Sequence, residues 1–210
     1  MNIIRNRAQE QFPTVLLTLL SIVQALALEL LWEHIQETQT LIEATAQAVV
    51  SWAQILTTLF GIILIWIVYA STAMRFRWTP STADSVYPFI IGLLEFILIE
   101  TLAPGMVGQW AIILVIIFGS MVLLSHLTMR KARVSGDNGD FFKKSNPATL
   151  KNFFGQIAVL ILLLLGGSYV WLSDNNGMIS YLLIAAVFTL LLWQYIGSAT
   201  FWNSSLRDAE

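Results

Sequence analysis

The chain has 210 residues, of which 57% are hydrophobic and 11% charged, and its mean hydropathy is +0.72. Soluble domains carry about 25% charged residues, so this composition predicts an integral membrane protein in the plasma or bacterial inner membrane. There is no Cys, which excludes disulfides, thiolate metal sites and Cys nucleophiles, and the basic residues are too scattered for a nucleic-acid face.

Crossing the hydrocarbon layer takes about 20 apolar residues in a helix. Six segments qualify, at 13–32, 51–70, 86–103, 107–129, 153–172 and 178–200. The predicted fold is therefore an all-α polytopic bundle of six transmembrane helices, forming one domain over 1–210.

The first span follows Arg5 and Arg7, and Ala25-Leu26-Ala27 looks like a signal-peptidase site. The apolar run continues to Leu31, so a retained helix is expected. Thr14, Thr18, Ser21 and Gln24 make a polar stripe at near-helical spacing. Such a stripe should face protein or water.

An amphipathic outer connection is expected over 33–50. Glu29, Glu33 and Glu37 recur every four residues there and share one helix face. Like charges at this spacing weaken a helix slightly. The ladder, with Glu43, is either a mouth that gathers cations or the wet face of an interfacial helix. The Asp/Asn alternation of a calcium loop is missing.

The third span, 86–103, holds two acids and no Lys or Arg. Glu95 falls near its middle, and Glu100 lies five residues on, roughly 7.5 Å nearer the outside. Five residues also turn the helix by roughly 500°, so the two acids point some 140° apart and are no dyad. A charge at the bilayer centre costs about 2.5–3.5 kcal/mol, and ionisable residues in spans are functional candidates by default. At Glu95's depth the first span offers Ser21 and Gln24, and the sixth offers Thr189. None is basic. Glu95 is either a hydrogen-bonded fastener between helices or a group that exchanges a proton or cation.

Pro104-Gly105 closes the hairpin into the fourth span. His126 lies near that span's far end, as an interfacial or packing residue, while His34 lies outside. Two histidines at different depths cannot ligate one haem, and no span carries a Lys for retinal. No cofactor and no metal site is expected. The loop 130–151 carries Arg130, Lys131, Arg133, Lys143, Lys144 and Lys151. These fix topology, or bind an acidic partner or anionic headgroups. Asn176-Gly177 marks the turn between the last two spans.

All 11 basic residues fall on one side of a six-span arrangement. Both termini are then cytoplasmic. Seven acids, Glu29, Glu33, Glu37, Glu43, Glu95, Glu100 and Asp174, lie in the membrane or outside it.

No nucleophile–base pair, HExxH or GxSxG occurs, so an enzyme is the weakest reading. The first reading is a permease or channel for protons or cations, using Glu95 and Glu100 with Glu29, Ser21 and Gln24. The alternative is a non-transporting sensor or anchor that recruits a cytosolic protein through the basic loop. A homo-oligomer or a larger membrane complex is expected from the small size.

Overall fold

The computed structural model describes residues 3–143, 147, 149–173 and 177–207. These form α1 (Ile3–Glu37), α2 (Ala46–Arg75), α3 (Thr82–Glu100), α4 (Val107–Val134), the short α5 (Gly139–Lys143), α6 (Leu150–Ser173) and α7 (Met178–Arg207). No strand occurs among the described residues. All but α5 are long and apolar enough to cross a membrane, six in total.

Side-chain pairings fix the helix directions. Trp66 meets Ser21 and Trp52 meets the Leu41 carbonyl, so α1 and α2 are antiparallel. Gln9 reaches Thr79 and Gln24 reaches Glu95, so α1 and α3 are parallel. Asp84 meets Lys131, which sets α4 antiparallel to α3. Tyr181 reaches Ala46 and Arg75 reaches Phe201, which sets α7 parallel to α2. His126 packs edge-on against Phe153, where α6 begins beside the far end of α4. Consecutive long helices thus alternate in direction. Ile3, 76–81, 135–143 and Arg207 share one end of the bundle, and every described Lys and Arg lies there. Glu33, Glu37, Glu43 and Glu100 lie at the opposite, acidic end.

Several boundaries move relative to the sequence reading. α1 begins at Ile3, carries Pro13 inside it and runs on to Glu37. α2 starts at Ala46, where Thr45 Oγ1 accepts from the Ala48 N–H at 3.2 Å. The outer connection expected over 33–50 shrinks to 38–45, with a 3-10 turn at Gln39–Ile42. Repulsion in the Glu ladder is worth only about 0.2–0.5 kcal/mol per pair, too little to stop a helix already propagating. At the other end α4 runs on to Val134. The following segment docks back onto the bundle. Asn138 accepts from the Arg77 N–H at 3.1 Å and donates to the Arg77 and Ala132 carbonyls. Phe76 is buried against Phe141 and Phe142. Lys144 and the Asp174–Asn176 turn lie outside the described residues.

Two close approaches depend on glycine. A Cβ at Gly92 would collide with Val23 Cγ1, which is how tightly α3 meets α1. A Cβ at Gly108 would lie 2.5 Å from the Trp171 nitrogen and 2.7 Å from the Gly167 oxygen, where α4 meets α6. The outward surface is apolar, with Ile22, Leu93, Leu162, Leu165 and Trp193 all exposed, while Gln24, Gln54, Thr58 and Glu95 are buried. The core is apolar as well, so what departs from a protein folded in water is the apolar surface and the polar groups enclosed beneath it.

Candidate functional site

Glu95 has no exposed surface. It sits on α3 one turn from Gly92, whose missing side chain lets α1 come close enough for Gln24 to reach across. Gln24 Nε2 donates to Glu95 Oε1 at 2.8 Å and to Oε2 at 3.0 Å. Among the described residues no basic side chain meets Glu95. The other end of the amide, Gln24 Oε1, is buried without a hydrogen-bond partner. An amide carries both a donor and an acceptor. A half-turn about its last bond would present that oxygen to a protonated Glu95. Gln24 can therefore serve either form of the acid.

Glu95 also lines a cavity of about 20 Å³ against Gly61, Ile65, Leu98, Leu114 and Leu191. A single water needs about 10–15 Å³. Val68, Phe118, Met121 and Gln194 are walls of this cavity and of a larger cleft of about 480 Å³. The cleft lies between α2, α4, α6 and α7 in the basic half of the bundle, and Ser125, Gln156, Gln194 and Ser198 contribute its polar walls.

Further buried polar groups continue along the interior in both directions. Towards the acidic end, Ser51, Gln54 and Thr58 occupy one face of α2 and are almost fully enclosed. Thr58 Oγ1 accepts from Trp110 Nε1 at 2.9 Å. Ser51 Oγ and both amide atoms of Gln54 have no hydrogen-bond partner. Towards the basic end come Tyr69, Trp78 and Asp84, each under 9% exposed. Tyr69 Oη and Trp78 Nε1 are likewise unpartnered. A buried polar group left unpaired costs about 1–3 kcal/mol. Asp84 is held through both carboxylate oxygens. It accepts from the Ser81 N–H at 2.7 Å and from Lys131 Nζ at 2.7 and 2.8 Å. From Ser51 to Tyr69 this column spans roughly 27 Å of α2, close to the hydrocarbon thickness of about 30 Å.

The column was only partly visible in the sequence. Ser51, Gln54 and Thr58 recur at helical spacing within an apolar run, a signal that marks them once the period is followed. Asp84 fell outside the expected span of 86–103, but α3 begins at Thr82 and encloses it.

The structure brings Gln24 to Glu95 but not Ser21. Ser21 is exposed and its Oγ accepts from Trp66 Nε1 at 3.3 Å. Thr14 and Thr18 are exposed too, and Thr18 donates to the Thr14 carbonyl at 2.9 Å. Thr189 is exposed and donates to the Ala185 carbonyl. A hydroxyl satisfied by its own helix needs no partner beyond it, so most of the stripe points outward. Glu29, Glu33, Glu37, Glu43 and Glu100 are exposed. Among the basic candidates, Arg133 lies 4.5 Å over the Phe142 ring and Lys131 is held by Asp84. Arg130, Lys143 and Lys151 are exposed. Among the described residues no group of three or more His, Asp and Glu side chains is placed to hold a metal ion.

Fold and site together define a class: an all-helical bundle with six helices long and apolar enough to cross a membrane, and a buried carboxylic acid in its interior. No family model, no curated protein and no solved structure matches the chain.

Proposed function

We propose that the protein is a multi-pass membrane permease or channel that moves protons, with Glu95 as the exchanging group and both termini in the cytoplasm. The observation that carries this is the setting of Glu95. It is fully buried, held by Gln24, and placed against a cavity that shares four wall residues with a large cleft. A helix fastener accounts poorly for it. Intramembrane hydrogen bonds average about 0.6 kcal/mol, well below the roughly 2.5–3.5 kcal/mol cost of placing the acid there.

Protons are favoured over metal cations. The Gln24 amide faces both Glu95 oxygens. The cavity has room for one water and not for a hydrated ion. The proton then binds Glu95 as Gln24 turns its oxygen inward, and leaves as Gln24 turns back. The exposed acids Glu29, Glu33, Glu37 and Glu100 raise the local proton concentration at the outer end. The orientation is supported by the Lys and Arg gathered at one end. Single cysteines introduced near either terminus of this Cys-free chain should label only from the cytoplasm.

The alternative, an anchor acting through the basic loop, has less to use, because Lys131 is held by Asp84 and Arg133 lies over Phe142. The deciding experiment is proton flux into liposomes reconstituted with the full chain or with Glu95→Gln. Loss of flux supports the reading. Flux equal to that of the natural chain removes it.

A further inference from the structure

Tyr69 and Trp78 are buried donors towards the basic end for which the packing gives no account. They line one cavity of about 40 Å³, and its remaining polar walls are Thr72, Asp84, Tyr87, Ser125 and Thr128. Tyr69 is 8% exposed, Trp78 4% and Asp84 6%. The space exceeds the roughly 10–15 Å³ that one water takes, and a buried water needs two to four polar partners. Here the partners exist. Tyr69 Oη and Trp78 Nε1 have none within the protein. Thr72 spends its proton on the Val68 carbonyl, which leaves its oxygen able to accept. Asp84 Oδ1 accepts from Lys131 and retains a lone pair, whereas Oδ2 is taken up by Lys131 and by the N–H and hydroxyl of Ser81. The Glu95 cavity is different, being apolar except for Glu95 and Gln194.

Val68 and Met121 stand between the two spaces, since both residues line both cavities. Met has three rotatable bonds and adapts to irregular gaps. Of the two shared walls it is the one with the freedom to move aside. At the far side Lys131 is 32% exposed, so the Asp84–Lys131 pair reaches solvent at the basic end.

We propose that the chamber bounded by Tyr69, Trp78 and Asp84 holds water and is the inner leg of the proton path, joining Glu95 to the Asp84–Lys131 pair, with Met121 as its gate. This rests on Glu95 being the exchanging group. The proton given up by Glu95 passes to a chamber water, that water passes one on past Tyr69 to the water nearest Asp84, and one proton leaves to bulk beside Lys131. Charge and atoms balance with no co-reactant.

Two measurements on the full chain in lipid nanodiscs and liposomes test it. X-ray radiolytic labelling in isotopically labelled water marks side chains that touch bound water even where bulk solvent is excluded. Tyr69 and Trp78 should take up label, and Ile62 and Leu191 on the apolar wall of the Glu95 cavity should take up far less. Proton flux should fall about tenfold in Tyr69→Phe and rise in Met121→Ala. Absence of label on Tyr69 and Trp78 in the natural chain overturns the proposal without any variant having to fold. Label on both with unchanged flux in Tyr69→Phe overturns it as well, and leaves the larger cleft as the route. If Glu95→Gln keeps full flux, the reading of Glu95 fails first, and labelling still reports separately whether the chamber is wet.

Discussion

The first four helices and the last two are built for different tasks. Of the most apolar stretch of α2, 61% is buried, against 17% for α6. α2 carries Ser51, Gln54, Thr58 and Tyr69 inward. α6 turns Ile161, Leu162, Leu164 and Leu165 outward. One unit encloses polar groups, and the other covers it with hydrocarbon while supplying walls to the cleft. In a membrane the apolar face needs no partner beyond lipid, whereas each buried polar atom needs one. Chemistry therefore concentrates in the unit that carries that requirement.

The sharpest test of this contrast sets two polar residues on different helices against each other. Glu95→Gln should lower proton flux by about 100-fold or more, the lower range for loss of a proton-transfer group. Thr189→Val, on α7, should leave flux unchanged, because that hydroxyl is exposed and satisfied by Ala185. Equal losses in both, measured in the same liposomes, would erase the distinction between core and cover.

Next in size is the seam between the two units. Gly108→Leu forces a side chain against the backbone of Gly167 and Trp171, and should destabilise the bundle by about 1–3 kcal/mol. Gly119→Ala, on the same helix, meets nothing within 4 Å. It should stabilise by about 0.5–1 kcal/mol through helix propensity. Thermal unfolding in detergent reads both. A Gly108 variant as stable as the Gly119 variant would mean that α6 is not held where the structure puts it.

The basic end gives a smaller, asymmetric effect. Lys131→Met strands the enclosed Asp84 carboxylate, whereas Asp84→Asn strands a lysine that already touches solvent. The first should cost about 1–3 kcal/mol and the second about 1 or less, since exposure screens the lysine. The double variant should recover most of the difference. Additive losses would show that the pair does not act as a unit.

How far these features could be read in advance follows from what each depends on. The six helices were legible because hydropathy over about 20 residues is a local property, and TLAPG marks the turn between α3 and α4. The gathering of Lys and Arg at one end was legible for the same reason. Glu95 stood out as an acid in an apolar run, and helical depth named Gln24 and Ser21 equally as its neighbours. Depth was the right coordinate and rotation the missing one. Three residues separate Ser21 from Gln24, which turns them about 60° apart, and one faces out while the other faces α3. Asp84 was hidden because its partner is 47 residues away in the chain. Tyr69 and Trp78 were hidden because an aromatic in a span reads as packing or interface, and only the assembled interior exposes their unused donors.

The smallest prediction rests on that rotation. Gln24→Leu removes the donor to both Glu95 oxygens inside the bundle. Ser21→Ala removes an acceptor at the exposed surface, where Trp66 Nε1 approaches at 3.3 Å. Measured by unfolding, Ser21→Ala should cost no more than about 0.6 kcal/mol, the average for intramembrane hydrogen bonds. It should not alter flux, whereas Gln24→Leu should lower it, because Glu95 then loses the one group able to match both of its protonation states. Gln24→Asn keeps the amide on a shorter arm and should fall between the two. Were Ser21→Ala to impair flux as much as Gln24→Leu, the outward stripe on α1 would belong to the path, and the line drawn between interior and cover would have to move across α1.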